Sequence, residues 1–166
     1  MGYKRKTWRE KLGESKGLPR VEPIPEKMSG RWGAGTLVIP APSEVDEIMK
    51  QVPRGKLITV NQIRRVLAMR HGATIGCPIT TGIFAMISAH VGREDLEEGK
   101  AKFTPYWRTL KSDGEINPRY PGGVEGQKAR LESEGHKVIR KGKKYFVEDY
   151  ENYLIPCQGL PRSHHC

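Results

Sequence analysis

Between residues 43 and 90, apolar side chains recur three and four positions apart in three successive runs. The first carries Val45, Ile48 and Met49 behind Ser43, a residue type that caps helix starts, and Pro53 and Gly55 stop it. The second opens on Thr59 with Gln62 three residues on, the form of a capping box. It continues through Ile63, Val66 and Leu67 to Gly72, with Arg64 and Arg65 turned outward. The third starts at Pro78, favoured at a first helical position, and carries Ile79, Ile83, Met86 and Ile87 to about His90. The spacing therefore predicts three helices, the last two joined by a short turn containing glycine. That is the shape of a helix-turn-helix whose second helix is the reader; by periodicity alone it is equally a plain helical hairpin.

Beyond this block, residues 93–102 are charged and read as a solvated segment, and residues 124–133 as a further helix. Lys111, Ser112, Asp113 and Gly114 have turn chemistry. Residues 137–140, the basic turn 141–143 and residues 145–147 predict a strand, turn and strand, and a basic hairpin beside a helix-turn-helix is a wing. Residues 1–41 are rich in Lys, Arg, Glu, Pro and Gly and form a basic extension, with one short helical candidate over Thr7 to Ser15 that sets Trp8 and Leu12 on one face. Trp8 and Trp32 are too bulky to leave in water without reason, so at least one is expected to dock on the domain; the alternative is an unstructured partner-binding element. The compact domain spans residues 42–150, and residues 151–166 make a polar tail. No internal repeat is present.

Composition narrows the partners. A formal charge of +10 attracts phosphate, although such charge also serves plain solubility. Three cysteines without a CxxC pair suggest neither a disulfide framework nor a zinc ribbon, and a reducing, cytoplasmic, nucleoid-associated setting is expected. His164, His165 and Cys166 are three ligands with no fourth partner, so no metal site and no cofactor is expected. Neither a membrane-length apolar run nor a secretory signal is visible, and a monomer away from membranes is expected.

Two blocks carry a resemblance. Pro105, Tyr106, Trp107 and Arg108 are followed at fixed distance by Tyr120, Pro121, Gly122, Gly123 and then Glu134, Gly135. This resembles the active-site segment of the alkylguanine-DNA alkyltransferases, where Pro-Cys-His-Arg precedes a Tyr-x-Gly-Gly loop and a Leu-x-x-Glu-Gly helix end. Val52 to Thr59 is similar to the Ile-Pro-x-Gly-x-Val-x-Thr lead into the family's DNA-binding helices. The resemblance runs from about Pro42 to about Tyr150. It implies an α+β, mainly α, winged helix-turn-helix of the alkyltransferase C-terminal type. It points to the alkyltransferase-like branch, which binds alkylated double-stranded DNA without repairing it and marks it for downstream repair proteins.

In that family a histidine and a glutamate activate the acceptor cysteine, because a thiolate must attack the alkyl carbon. Here Tyr106 stands at the cysteine position and Trp107 at the histidine, leaving only an indole donor where a proton acceptor is required. Transfer at this site is therefore not expected. The resemblance implies a lesion pocket of Tyr106, Trp107, Arg108, Tyr120, Gly122, Gly123 and Glu134, with the two rings stacking an extruded base and Arg108 paired to Glu134. The alternatives are that Tyr106 and Trp107 are core aromatics on a strand and that Tyr120 to Gly123 is an ordinary turn.

Thr59, Arg64, Arg65, Thr80 and Thr81 on the helices and Lys143 and Lys144 on the hairpin are the expected DNA contacts. Two departures stand out: Val60 replaces a phosphate-pressing tyrosine, and Thr80 falls where the family has the arginine that fills the vacated space in the duplex. Cys77, at a predicted helix start where the dipole lowers a thiol pKa, is either a relocated acceptor or a small buried hydrophobe. Cys157, after Ile155 and Pro156, repeats the family's Ile-Pro-Cys by coincidence. Three functions follow: non-catalytic lesion recognition, an alkyltransferase using Cys77, or a general nucleic-acid-binding or regulatory module without lesion recognition.

Overall fold

The computed structural model describes residues 4–156; Cys157, His164, His165 and Cys166 lie outside the described residues. The described residues form a mixed α/β fold with three small sheets. Helix α1 (Trp8–Leu12) is followed by β1 (Arg20–Pro23), α2 (Ser29–Trp32), β2 (Thr36–Ile39), α3 (Pro42–Lys50), β3 (Ile58–Thr59), α4 (Val60–His71), β4 (Ile75–Gly76) and α5 (Pro78–Glu97). Then come β5 (Thr109–Leu110), α6 (Gly123–Ser133), β6 (Val138–Lys141) and β7 (Lys144–Val147), with single 3-10 turns at Tyr106–Arg108 and Tyr150–Tyr153.

The first two apolar runs become the packed faces of α3 and α4, whereas α5 packs through Ala85 and Ala89 and leaves Ile79 and Ile83 of the third run exposed. Val45, Ile48, Met49, Ile63, Val66, Leu67, Ala85 and Ala89 form one core with Leu57, Ile58, Leu110, Ile116 and Leu131. The helix signals act as the chemistry requires. Thr59 Oγ1 accepts from Gln62 N at 3.2 Å while Gln62 Oε1 accepts from Thr59 N at 3.1 Å, closing the capping box of α4. Gly72 ends α4 at φ 64°, a left-handed cap that suits glycine. The start of α3 differs from expectation: Pro42 occupies its first turn and Glu44 reaches back to accept from Ala41 N at 3.0 Å, so Ser43 lies inside the helix.

Residues 93–102 also differ. Instead of a solvated segment, α5 runs on through Glu97, and Asp95 is buried because Arg9 at 2.7 Å and Lys100 at 3.2 Å neutralise it. Gly92 lets this long helix approach the segment ahead of the Tyr106–Arg108 turn: a Cβ there would meet Thr104 O at 2.4 Å.

The N-terminal residues are fastened to the helices. Trp8 stacks on His90 with centroids 4.0 Å apart and planes 6° apart, and Arg9 pairs with Glu98 as well as Asp95. Strand β2 runs antiparallel to β1, with Val21 opposite Val38, and parallel to β4, with Leu37 opposite Ile75. Trp32, Ile24, Leu37 and Cys77 pack in a smaller apolar cluster beneath that sheet. The basic hairpin forms where it was predicted, β6 pairing β7 with Arg140 opposite Tyr145 and the turn at Gly142.

Candidate functional site

The centre of the resemblance folds into a closed hydrogen-bond network. The Tyr106–Arg108 segment is one 3-10 turn rather than a strand, set against α5 on one side and α6 on the other. Arg108 Nε donates to Glu134 Oε1 at 2.9 Å and Arg108 Nη2 to Oε2 at 2.8 Å, a two-pronged pair that matches a planar guanidinium to a carboxylate. Arg108 Nη1 donates to Val52 O at 2.8 Å and Gly55 N to Glu134 Oε1 at 3.3 Å, so the pair ties the loop at the end of α3 to the end of α6. Trp107 Nε1 donates to Glu134 Oε2 at 2.9 Å. Burial opposes the charge on Glu134, but the hydrogen bonds from Arg108, Trp107 and Gly55 outweigh it and hold the carboxyl below the usual glutamate range.

The rings themselves are enclosed. Tyr106 is 1% and Trp107 3% exposed, and they meet edge to face with centroids 5.3 Å apart. Tyr120 packs edge-on against Tyr106 at 6.3 Å, and its burial pushes its hydroxyl pKa up. Two arginines lie at the margin. The Arg130 guanidinium covers the face of Trp107 at 4.5 Å from the ring centroid. Arg93, whose pKa is raised by Glu97 first and by the Tyr106 hydroxyl next, is close enough to the Tyr120–Gly123 loop that a Cβ on Gly122 would sit 3.6 Å from Nη1. Gly122 itself takes φ 82° at the start of α6, where a side chain would be strained. Arg93 and Arg130 were not singled out from the sequence. Arg130 stands four residues before Glu134 on α6, so helical spacing puts the two on one side and could have found it.

The expected DNA contacts separate into two groups. Arg65, Lys143 and Lys144 are exposed, Lys144 lying 3.9 Å from Glu115. Thr59 is buried at the α4 cap, and Thr81 is fully enclosed in α5, so neither offers its side chain to a phosphate. Thr80 is half-buried with an enclosed hydroxyl. Arg64 is turned inward instead of outward, donating through Nε to Gly76 O at 2.9 Å and through Nη1 to Asn61 Oδ1 at 3.0 Å. Cys77 is 5% exposed in the apolar cluster beneath the small sheet, the surroundings of a packed hydrophobe.

An open cavity of about 1090 Å³ lies elsewhere, between α1, the first half of α5 and the 111–119 segment. Ile79 and Ile83 line it and are 58% and 52% exposed.

No protein-family model and no curated protein matches this chain. Among solved structures it is similar to S. pombe ATL in complex with DNA, with 23% identity and a TM-score of 0.50 over 69% of this chain and 93% of that one. It is also similar to S. pombe Atl1 in complex with damaged DNA containing O6-carboxymethylguanine, at 22% identity, TM-score 0.49 and the same coverage. The first likeness shows that the chain has the fold of an alkyltransferase-like protein.

Proposed function

We propose that this chain is an alkyltransferase-like protein that binds double-stranded DNA through a winged helix-turn-helix and recognises alkylated guanine without repairing it. The observation that carries the reading is the Trp107–Glu134–Arg108 network. It keeps the glutamate and arginine of the alkyltransferase arrangement, yet it fills the histidine position with an indole that can only donate and the acceptor position with a buried phenol. An indole with its single N–H committed to Glu134 takes no proton from a nucleophile, so the frame holds the pocket's shape and does no transfer chemistry.

In this reading α4 and α5 are the helix pair, β6 and β7 the wing, and residues 42–150 the functional domain. Arg65, Lys143 and Lys144 are exposed and hold phosphates. An extruded base enters beneath the Tyr120–Gly123 loop by taking the place of the Arg130 guanidinium over Trp107. Cation–π contact and base stacking use the same ring face, so one replaces the other. The bound protein then marks the lesion for other repair proteins.

The test is competition between an O6-alkylguanine duplex and the same unmodified duplex, followed by intact mass measurement of the protein. The reading expects tighter binding to the alkylated duplex and no added mass. Equal affinities would favour a general DNA-binding module, and one alkyl group on Cys77 would make the protein a transferase.

A further inference from the structure

Helix α5 carries one apolar stripe, Ile79, Ile83, Met86 and Ile87, whose two ends have different fates. The far half of the helix is covered by α1, through Trp8 on His90 and Arg9 on Asp95 and Glu98. The first two turns are left open: Ile79 and Ile83, one turn apart on the same face, are the two most exposed large hydrophobic side chains of the described residues. β-Branched side chains in water at the mouth of a helix pair contribute nothing to the core and are stiff at χ1. Around them the cavity wall is basic. Lys11 and Lys16 approach from the N-terminal segment, and Arg119 and Lys111, the latter 3.7 Å from Glu115, from the opposite side, while the acidic Glu14 is paired with Lys6. An apolar floor with a cationic rim fits a duplex, whose phosphates lie at the edges of a groove and whose base steps lie at its bottom. An acidic amphipathic helix would also match an apolar floor, but it needs a continuous stripe, and α1 closes this one after two turns.

We propose that Ile79 and Ile83 are an apolar wedge that enters a base step of double-stranded DNA, with the N-terminal segment of this chain supplying one cationic wall through Lys11 and Lys16 and the 111–119 segment the other through Lys111 and Arg119. The proposal rests on the DNA-binding reading above and adds the element that opens the duplex. Inserted side chains of this kind partly unstack a step and bend the duplex, and the distortion is offset by the additional phosphate contacts that the bend allows. The rigid isoleucines supply shape and the flexible lysines supply attraction, so the two can be removed separately.

The experiment uses the full chain and a duplex carrying 2-aminopurine, whose fluorescence rises when its step is unstacked, read at saturating protein. Wild type is expected to raise the fluorescence. Ile79→Ala together with Ile83→Ala is expected to abolish most of that rise and to weaken binding about tenfold, the size of one lost stacking contact. Ile83→Leu should retain the rise. Lys11→Ala with Lys16→Ala should weaken binding and flatten its salt dependence but leave the fluorescence of the saturated complex unchanged. Ile79, Ile83 and Lys16 are exposed, so circular dichroism should be unaffected, and Lys11, whose ammonium lies 4.6 Å from the Trp8 ring centroid, is also replaced by Arg to keep that contact while the charge is retained. A wild-type complex that forms without a fluorescence rise, or a double isoleucine variant with full rise and full affinity, would overturn the wedge while leaving DNA binding intact. Absence of duplex binding by the wild type would overturn the DNA-binding reading itself, and binding of an acidic amphipathic peptide in its place would assign the groove to a protein partner.

Discussion

The Arg108–Glu134 centre and the open end of α5 differ in nearly every physical respect. The first is enclosed, charged, hydrogen-bonded and tied to the backbone of Val52 and Gly55; the second is exposed and apolar. A closed network of paired charges fixes a shape, because each polar group in it already has its partner and has no hydrogen bond left to offer a ligand. An open isoleucine pair under a basic rim does nothing for the fold and has everything to offer. The residues most recognisable from the sequence therefore hold the frame, and the less recognisable ones present the surface.

The largest expected effect lies in the frame. Glu134→Ala leaves Arg108 and the Trp107 indole without their acceptor in a buried site, and should destabilise the protein by about 3–5 kcal/mol; Glu134→Gln, which keeps an acceptor oxygen, should lose less. Urea denaturation of both variants checks this, and equal losses would mean that charge rather than hydrogen bonding carries the site. Next comes the wing: Lys143→Ala with Lys144→Ala should weaken binding to every duplex alike and reduce the slope of log affinity against log salt by about two, the count of phosphate contacts removed. A double variant with unchanged slope would remove the hairpin from the interface.

How much of this was legible varied with the range of the interaction that decides it. Thr59 with Gln62, Gly72 and the 137–147 hairpin are local signals, and they formed as their chemistry dictates. The extension of α5 past His90 was hidden, because residues 93–97 read as solvated until Arg9, 86 positions away from Asp95, is seen to neutralise the buried carboxylate. Arg64 looked outward-facing for the same reason: the carbonyl of Gly76 that turns it inward belongs to another element. At the site, the Arg108–Glu134 pairing could be expected from the motif, whereas the covering of Trp107 by Arg130 and the deep burial of both rings depend on how α6 settles against the Tyr106–Arg108 turn.

A middle-sized effect sharpens the contrast at the ring face. Arg130→Ala uncovers Trp107 without touching the hydrogen-bond network, so the preference for alkylated over intact duplex should rise by roughly threefold to tenfold, the range of one partly exposed cation–π contact. Competition binding reads this, and a fall in preference would mean that Arg130 holds the lesion instead of yielding to it. Trp107→Phe should keep a stacking face but lose the bond to Glu134, lowering stability by about 1–2 kcal/mol.

The smallest effect is on pH. Burial lowers the pKa of His90 and of His136, whose ring nitrogens have no hydrogen-bond partner, so the folded state prefers both neutral. The unfolded chain then binds protons more readily, and stability is full above the usual histidine range and falls as pH drops through it. Glu134 is lowered as well, so its contribution persists below that range and is lost only as pH falls beneath ordinary carboxylate values. Denaturation midpoints across pH should show two steps, and His136→Phe should shrink the upper one.

Hydrogen exchange with and without an unmodified duplex tests the division of labour most directly, since it reads every backbone segment in one experiment. The account predicts new protection over the first two turns of α5, residues 11–16, residues 111–119 and the β6–β7 turn, with the slow exchange around Arg108 and Glu134 unchanged. Protection confined to the β1–β2–β4 sheet and the Cys77 cluster, with the start of α5 still exchanging freely, would contradict it.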